Sequence, residues 1–196
     1  MTADGPTEEE AQAQRREAPE MTEELLARRE AALRQVRRFG DPVLKSQAIA
    51  VEVFDQGLAS EIERMGLLME AAVGVGLAAP QVGHLRRYFV YRIDDEGPLQ
   101  ALVNPVIEWA SDEEETFEEG CLSLPNVVVE VTRPVEIRVS AQDQHGEPLT
   151  REVGGLEARV IQHELDHLNG VLIIDRASRS QRREAMRTLR ELDRSF

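Results

Sequence analysis

Apolar side chains recur at helical spacing in four stretches of this chain and crowd at strand spacing in four others. Over residues 22–38, Leu25, Leu26, Ala32, Leu33 and Val36 share one side of an expected helix, which Gly40, Asp41 and Pro42 stop. A second helix is expected over 58–72, where Ile62, Met65, Leu68, Met69 and Ala72 recur at the same period. After Gly83 the period shortens. Residues 88–91 (YFVY) and 101–103 (ALV) read as strands parted by the turn-like DDEGP at 94–98. Residues 127–131 and 135–139 are two more, separated by Thr132, Arg133 and Pro134. DQHG at 143–146 marks a turn, and a helix over 156–168 ends at Asn169-Gly170. The last helix, over 179–192, carries Ala185, Leu189, Leu192 and Phe196 along one stripe. Helices and strands come in blocks without βα alternation, so the expected class is α+β.

Composition narrows the context. A chain of 196 residues fits one domain with tails and buries a core without staples. The first 20 residues are polar and acidic with two prolines, and read as a disordered tail ahead of a single domain over 21–178. A net charge of −14 disfavours DNA or any nucleic acid as a partner of the whole body. The N-terminus has no secretory apolar segment, and no run is long enough to span a membrane. With one unpaired cysteine and no Asn-x-Ser/Thr site, the expected compartment is a reducing cytoplasm.

Chemistry gathers at "VIQHELDHLNG". His163 and His167 stand four apart, so on a helix both imidazoles face one point, and Glu164 can reach water there without being a ligand. The stripe continues upstream through Val160 and Leu156, and two histidines on a core-facing side need a reason such as a metal. A catalytic ion of this kind takes three protein ligands and keeps an open position. The pattern of a zinc protease that continues to a third histidine fails, because Ile173 stands there. Glu184 and Glu191 lie on an arginine-rich helix that looks solvated. Cys121, the only cysteine, is the remaining soft donor, and a thiolate with two imidazoles suits Fe²⁺, Zn²⁺, Ni²⁺ or Co²⁺. Inert burial is the other reading of that thiol. Gly120 and Pro125 beside it fit a strained turn better than a packed strand, and the acids at 112–118 read as a solvated loop. Upstream, "GVGLAAPQVG" mimics a dinucleotide fingerprint but follows a helix, with Pro80 where the next helix should run. A small-residue turn that brings backbone close to a ligand fits better.

Three stretches, Gly74-Val75-Gly76-Leu77-Ala78-Ala79-Pro80-Gln81, Glu119-Gly120-Cys121-Leu122-Ser123 and Gln162-His163-Glu164-Leu165-Asp166-His167, resemble in order the three signature motifs of the peptide deformylases. The likeness covers roughly residues 36–176 and includes "FGDPVL". It implies strands packed around a central metal-binding helix, with N- and C-terminal helices. It also implies removal of the formyl group from formyl-methionine of nascent proteins. By the same likeness Cys121, His163 and His167 hold the ion, natively Fe²⁺, and Glu164 is general base and then acid. The Gln81 amide and the Leu122 N–H would be the oxyanion donors, and Glu119 would pair with Arg133 to brace the Cys121 loop. A metal that lowers the pKa of its water to about 7 agrees with this chemistry. For the substrate, Gly76 and Gly120 allow close approach of backbone, while Val75, Leu156 and Val160 are candidates for a methionine pocket. The main rival is a zinc endopeptidase using the same HExxH helix; a second rival, from another class, is a non-catalytic metal-binding or ribosome-associated protein. Residues 176–196 hold seven arginines against three acids. A solvated amphipathic helix and a dock for ribosomal RNA are the two readings of that segment.

Overall fold

The computed structural model describes residues 22–193. The expected tail over 1–20 and the Phe196 end of the last stripe lie outside the described residues.

Tyr88, Phe89, Val90 and Tyr91 are all buried, on both faces of one strand. That unbroken apolar run places their sheet between two helical layers. The elements in chain order are α1 (Glu23–Leu33), α2 (Gln56–Ala71), β1 (Gly76–Ala78), β2 (Tyr88–Tyr91) and β3 (Gln100–Ala110). There follow β4 (Glu114–Cys121), β5 (Leu124–Pro134), β6 (Glu136–Gln142), β7 (Pro148–Gly154), α3 (Gly155–Leu168), α4 (Ile173–Arg176) and α5 (Arg179–Asp193). Five strands make an antiparallel sheet in the order β1-β2-β3-β6-β7, and β4 and β5 form a separate antiparallel hairpin. This is the α+β class with a central HExxH helix.

One face of the large sheet offers Phe89, Tyr91, Leu102, Ile137 and Val139 to Ala158, Val160, Ile161, Leu165 and Leu168 of α3. The other offers Tyr88, Val90 and Val103 to Leu58, Ile62, Met65 and Met69 of α2. Asp55 starts α2 by accepting a hydrogen bond from the Leu58 N–H at 3.0 Å. A third cluster joins Val127, Val129 and Val131 of β5 to Leu172, Ile173 and Ile174 and to Ala185 of α5, with Met186 and Leu189 beside it. The alternation of β5, valines in and polar residues out, is what gives α5 a surface to lie on.

Three expectations change. The first helix ends at Leu33 instead of Arg38, because the next backbone groups are taken elsewhere: the Arg37 N–H donates to the Gln81 carbonyl at 2.7 Å and the Phe39 N–H to that of Ser123 at 2.9 Å. The acids at 112–118 are no loop from Glu114 onward. They lie in β4, drawn into register by β5, with Thr116 and Thr132 hydroxyls 2.8 Å apart across the pair. Gly120 lies in that strand and not in a strained turn; the chain turns instead at Leu122 and Ser123, without positive φ.

Candidate metal centre and cleft

α3 forms the floor of the site. Its register is pinned by Gln162, whose side-chain amide donates to the carbonyls of Ala158 and Pro134, both at 3.0 Å. The i, i+4 spacing sets the rings of His163 and His167 5.0 Å apart at 70°. The β4–β5 hairpin brings Cys121 over them, with its Sγ 3.2 Å from His167 Nε2. The three donor atoms all lie within 4.8 Å of one another. Bonds of about 2.0–2.3 Å to a tetrahedral ion require donor separations of about 3.4–3.6 Å, so small side-chain movements close the set around a cation. The chemistry of the set, one thiol and two imidazoles, fits a divalent ion of intermediate softness.

Glu119 is the hub behind this triangle. Its Oε2 accepts from His163 Nδ1 at 2.9 Å, which leaves Nε2 facing inward. Arg133, 2% exposed, donates to both its oxygens at 2.7 and 2.9 Å, and also to Asp166 of α3 at 2.8 Å. Arg159 donates to Glu119 at 2.7 Å and to the carbonyls of Val131 and Glu115, so it ties the hairpin to the floor. Arg176 completes the network on Asp166.

The electrostatics follow from burial and these partners. Burial would raise the Glu119 carboxyl, but hydrogen bonds from Arg133 and His163 hold it well below the usual carboxylate range. Burial raises Glu164 to about 7, against the pull of His163 and Arg133. Burial lowers His163, yet the Cys121 thiol and Glu119 outweigh it and push the imidazole up to about 10. His167 falls well below its ordinary value, through burial and the charges of His163 and Arg133.

Glu164 is 4% exposed, and its Oε2 and the Nδ1 of His167 are buried with no partner among the described residues. Gly76 is small for its sake: a Cβ there would sit 2.8 Å from Glu164 Cδ. Gly74 has a lesser constraint, a Cβ there meeting Leu122 Cδ1 at 3.0 Å. Gln81 is buried, its Oε1 accepts from the Ala78 N–H at 2.8 Å, and its Nε2 therefore turns toward Ser123 Oγ at 3.2 Å and Cys121 Sγ at 3.6 Å.

A cleft of about 570 Å³ opens over the triangle, within the usual range for a ligand site. Its lining includes Val75, Gly76, Gln81, Gly120, Leu122, Leu156 and Val160 with Cys121, His163 and Glu164; of the expected site residues only His167 lies behind it. Leu156 is not on the buried stripe expected of it. It is 52% exposed at the first turn of α3, where it faces the cleft instead of the core, whereas Val160 is 9% exposed. Gly120 meets nothing nearer than the Val127 carbonyl at 3.8 Å, so its missing side chain keeps the cleft open. Sequence alone does not point to Arg159 or to Arg29 of α1, and it places Leu33 only on the apolar side of that helix; all three line the cleft. Glu119 had a signal: two residues before Cys121 on a strand, it shares the face turned to α3.

Residues 33–183 match the family model described as Polypeptide deformylase. Peptide deformylase 1 of Corynebacterium glutamicum is 48% identical over 161 residues, covering 81% of this chain and 95% of that protein. The crystal structure of peptide deformylase from Thermotoga maritima has 50% identity and a TM-score of 0.70 over 73% of this chain and 96% of that one. That of a Synechococcus elongatus peptide deformylase in complex with actinonin has 41% identity and a TM-score of 0.75 over 78% and 85%.

Proposed function

The chain belongs to the polypeptide deformylase family and is a metal-dependent hydrolase that removes N-terminal formyl groups, and from that premise we propose which residues carry the reaction and which ion they hold. The endopeptidase reading drops out: the matching family and relatives are deformylases, and the third group facing the imidazoles is Cys121 and no glutamate.

The observation that carries the assignment is the triangle of Cys121, His163 and His167 beside the unpartnered oxygen of Glu164. These three residues hold one divalent ion, Fe²⁺ by preference, with Zn²⁺, Ni²⁺ or Co²⁺ as substitutes. The bound ion supplies Lewis acidity toward water and the formyl oxygen. Glu164, raised to about 7 by burial, is poised to take a proton from the attacking water and return it to the departing amine. The Gln81 amide, fixed by the Ala78 N–H, and the Leu122 N–H donate to the oxyanion that develops on the formyl group. Among the described residues β1 pairs with β2 alone, and its first residue, Gly76, lines the cleft, so substrate backbone adds there as a strand. Val75, Leu156 and Val160 then receive the methionine side chain, and Gly76 and Gly120 leave room for its backbone.

Formyl-methionyl nascent peptides in the cytoplasm are the substrates of this reading. No helix among the described residues is long and apolar enough to cross a membrane. The Fe²⁺ assignment is tested by air: iron-loaded enzyme should lose activity through thiolate oxidation while nickel-loaded enzyme keeps it. Air-stable activity of the iron form contradicts the assignment.

A further inference from the structure

α1 falls almost wholly outside the stretch that matches the family, which begins at residue 33, yet its Arg29 and Leu33 line the same cleft as Cys121 and Glu164. The helix is held in place. Thr22 caps its start by accepting from the Leu25 N–H, Ala32 is buried, and Val36 just beyond it enters the α2 cluster. Arg29 Nε donates to the Ala72 carbonyl at 3.3 Å, at the C-cap of α2. A helix C-terminus carries partial negative charge, which favours a cation at that spot, and the guanidinium keeps further N–H donors for another partner.

The path of the substrate brings its chain to this cation. Gly76 abuts Glu164, so the formyl-methionyl residue lies opposite Gly76 on the open edge of β1. Beyond Gly76 the strand runs into Leu77, Ala78 and Ala79, all fully buried, so the peptide leaves in the other direction, toward Gly74 and Val73. Residue 2 of an antiparallel peptide then passes Val75, beyond which the backbone of this chain turns back through Gly74 and a left-handed Val73 into the end of α2, so residues 3 and 4 run out over that turn. At about 3.3 Å per residue an extended peptide carries its fourth residue about 10 Å from the reacting one, along the side of the cleft that Val73, Gly74 and Arg29 line, where the Ala72 carbonyl holds the guanidinium. Of the cleft carboxylates, Glu119 is engaged by Arg133, Arg159 and His163, and Glu118 belongs to β4 on the other wall.

We propose that Arg29 is a specificity-determining residue, supplied by a helix outside the family-matched stretch, that favours formyl-methionyl peptides carrying a carboxylate at residue 3 or 4. The assignment rests on the deformylase reading and on strand addition at β1.

The test compares kcat/KM for formyl-Met-Ala-Glu-Glu, formyl-Met-Ala-Lys-Lys and formyl-Met-Ala, the last ending short of Arg29. The native chain prefers the acidic peptide by about three- to fivefold at low salt, as one partly exposed charge pair allows, and less at high salt. Arg29→Ala removes the preference, Arg29→Glu inverts it, and both leave formyl-Met-Ala hydrolysis unchanged. A native chain without the preference, or Arg29→Ala that retains it, overturns the assignment, as does equal slowing of all three peptides by Arg29→Ala. No hydrolysis of formyl-Met-Ala by the native chain is a failure of the deformylase reading instead.

Discussion

Glu119 Oε2 lies 2.9 Å from His163 Nδ1, so a carboxylate on the cysteine's own strand fixes the ring of a histidine on the floor helix. Arg133 fixes that carboxylate in turn through two hydrogen bonds. The hairpin and α3 are therefore held together as one unit around the donor atoms of Cys121, His163 and His167. Glu119→Gln keeps the volume but weakens the charge-assisted hold on the ring. Metal affinity should fall about 10- to 100-fold, measured by competition with a chromogenic chelator. Unchanged affinity would mean that packing alone orients His163.

Gly76 gives a second handle, because a Cβ there would sit 2.8 Å from Glu164 Cδ. Gly76→Ala should displace the carboxylate while leaving Cys121, His163 and His167 in place. The expected result is a loss of about 10²-fold or more in kcat with metal content unchanged. Full activity would show that Glu164 has room to move without cost to the reaction.

Removal of the metal exposes the cost of burying Glu164. Its carboxyl is raised to about 7 in the folded chain, above its value unfolded. The folded state therefore binds this proton more tightly: the stability linked to it is present at low pH and lost as pH rises through about 7. In chelator-treated protein, Glu164→Gln should leave urea stability near that of the native chain at pH 5 and exceed it at pH 8.5. An equal difference at both pH values would contradict the burial argument.

Much of this site was legible from spacing. His163, Glu164 and His167 declare themselves at i, i+1 and i+4, and a lone cysteine is conspicuous by its chemistry. The helices around 58–72 and 156–168 follow from apolar periodicity, and the end of the latter from Asn169-Gly170; the Asp55 cap that starts α2 two residues early does not follow from that period. What stayed hidden depended on partners far along the chain. β4 has too many acids to announce itself as a strand and exists because the alternating face of β5 pairs with it. Arg159 and Arg176 look like surface charges until Glu119 and Asp166 are placed beside them. Leu156 reads as core by its period, yet the start of α3 is where the cleft cuts into the fold.

The C-terminal helix divides its faces. Ala185, Met186 and Leu189 pack toward β5, while Arg183, Arg187 and Arg190 are exposed. Docking to ribosomal RNA through the exposed face predicts that purified ribosomes retain the native chain at low salt. A triple Arg→Gln variant at those three positions should be released, with its thermal stability preserved. Equal recovery of the two would leave α5 as a solvated helix.

Formate release from a formyl-methionyl peptide decides whether Cys121, His163 and His167 hold the ion and Glu164 moves the proton beside it. Nickel-loaded native chain should release formate, Glu164→Ala should keep its nickel and lose at least about 10²-fold in rate, and Cys121→Ala should lose both metal and activity. A Cys121→Ala chain that retains nickel and still releases formate would rule out Cys121 as a ligand of the working ion.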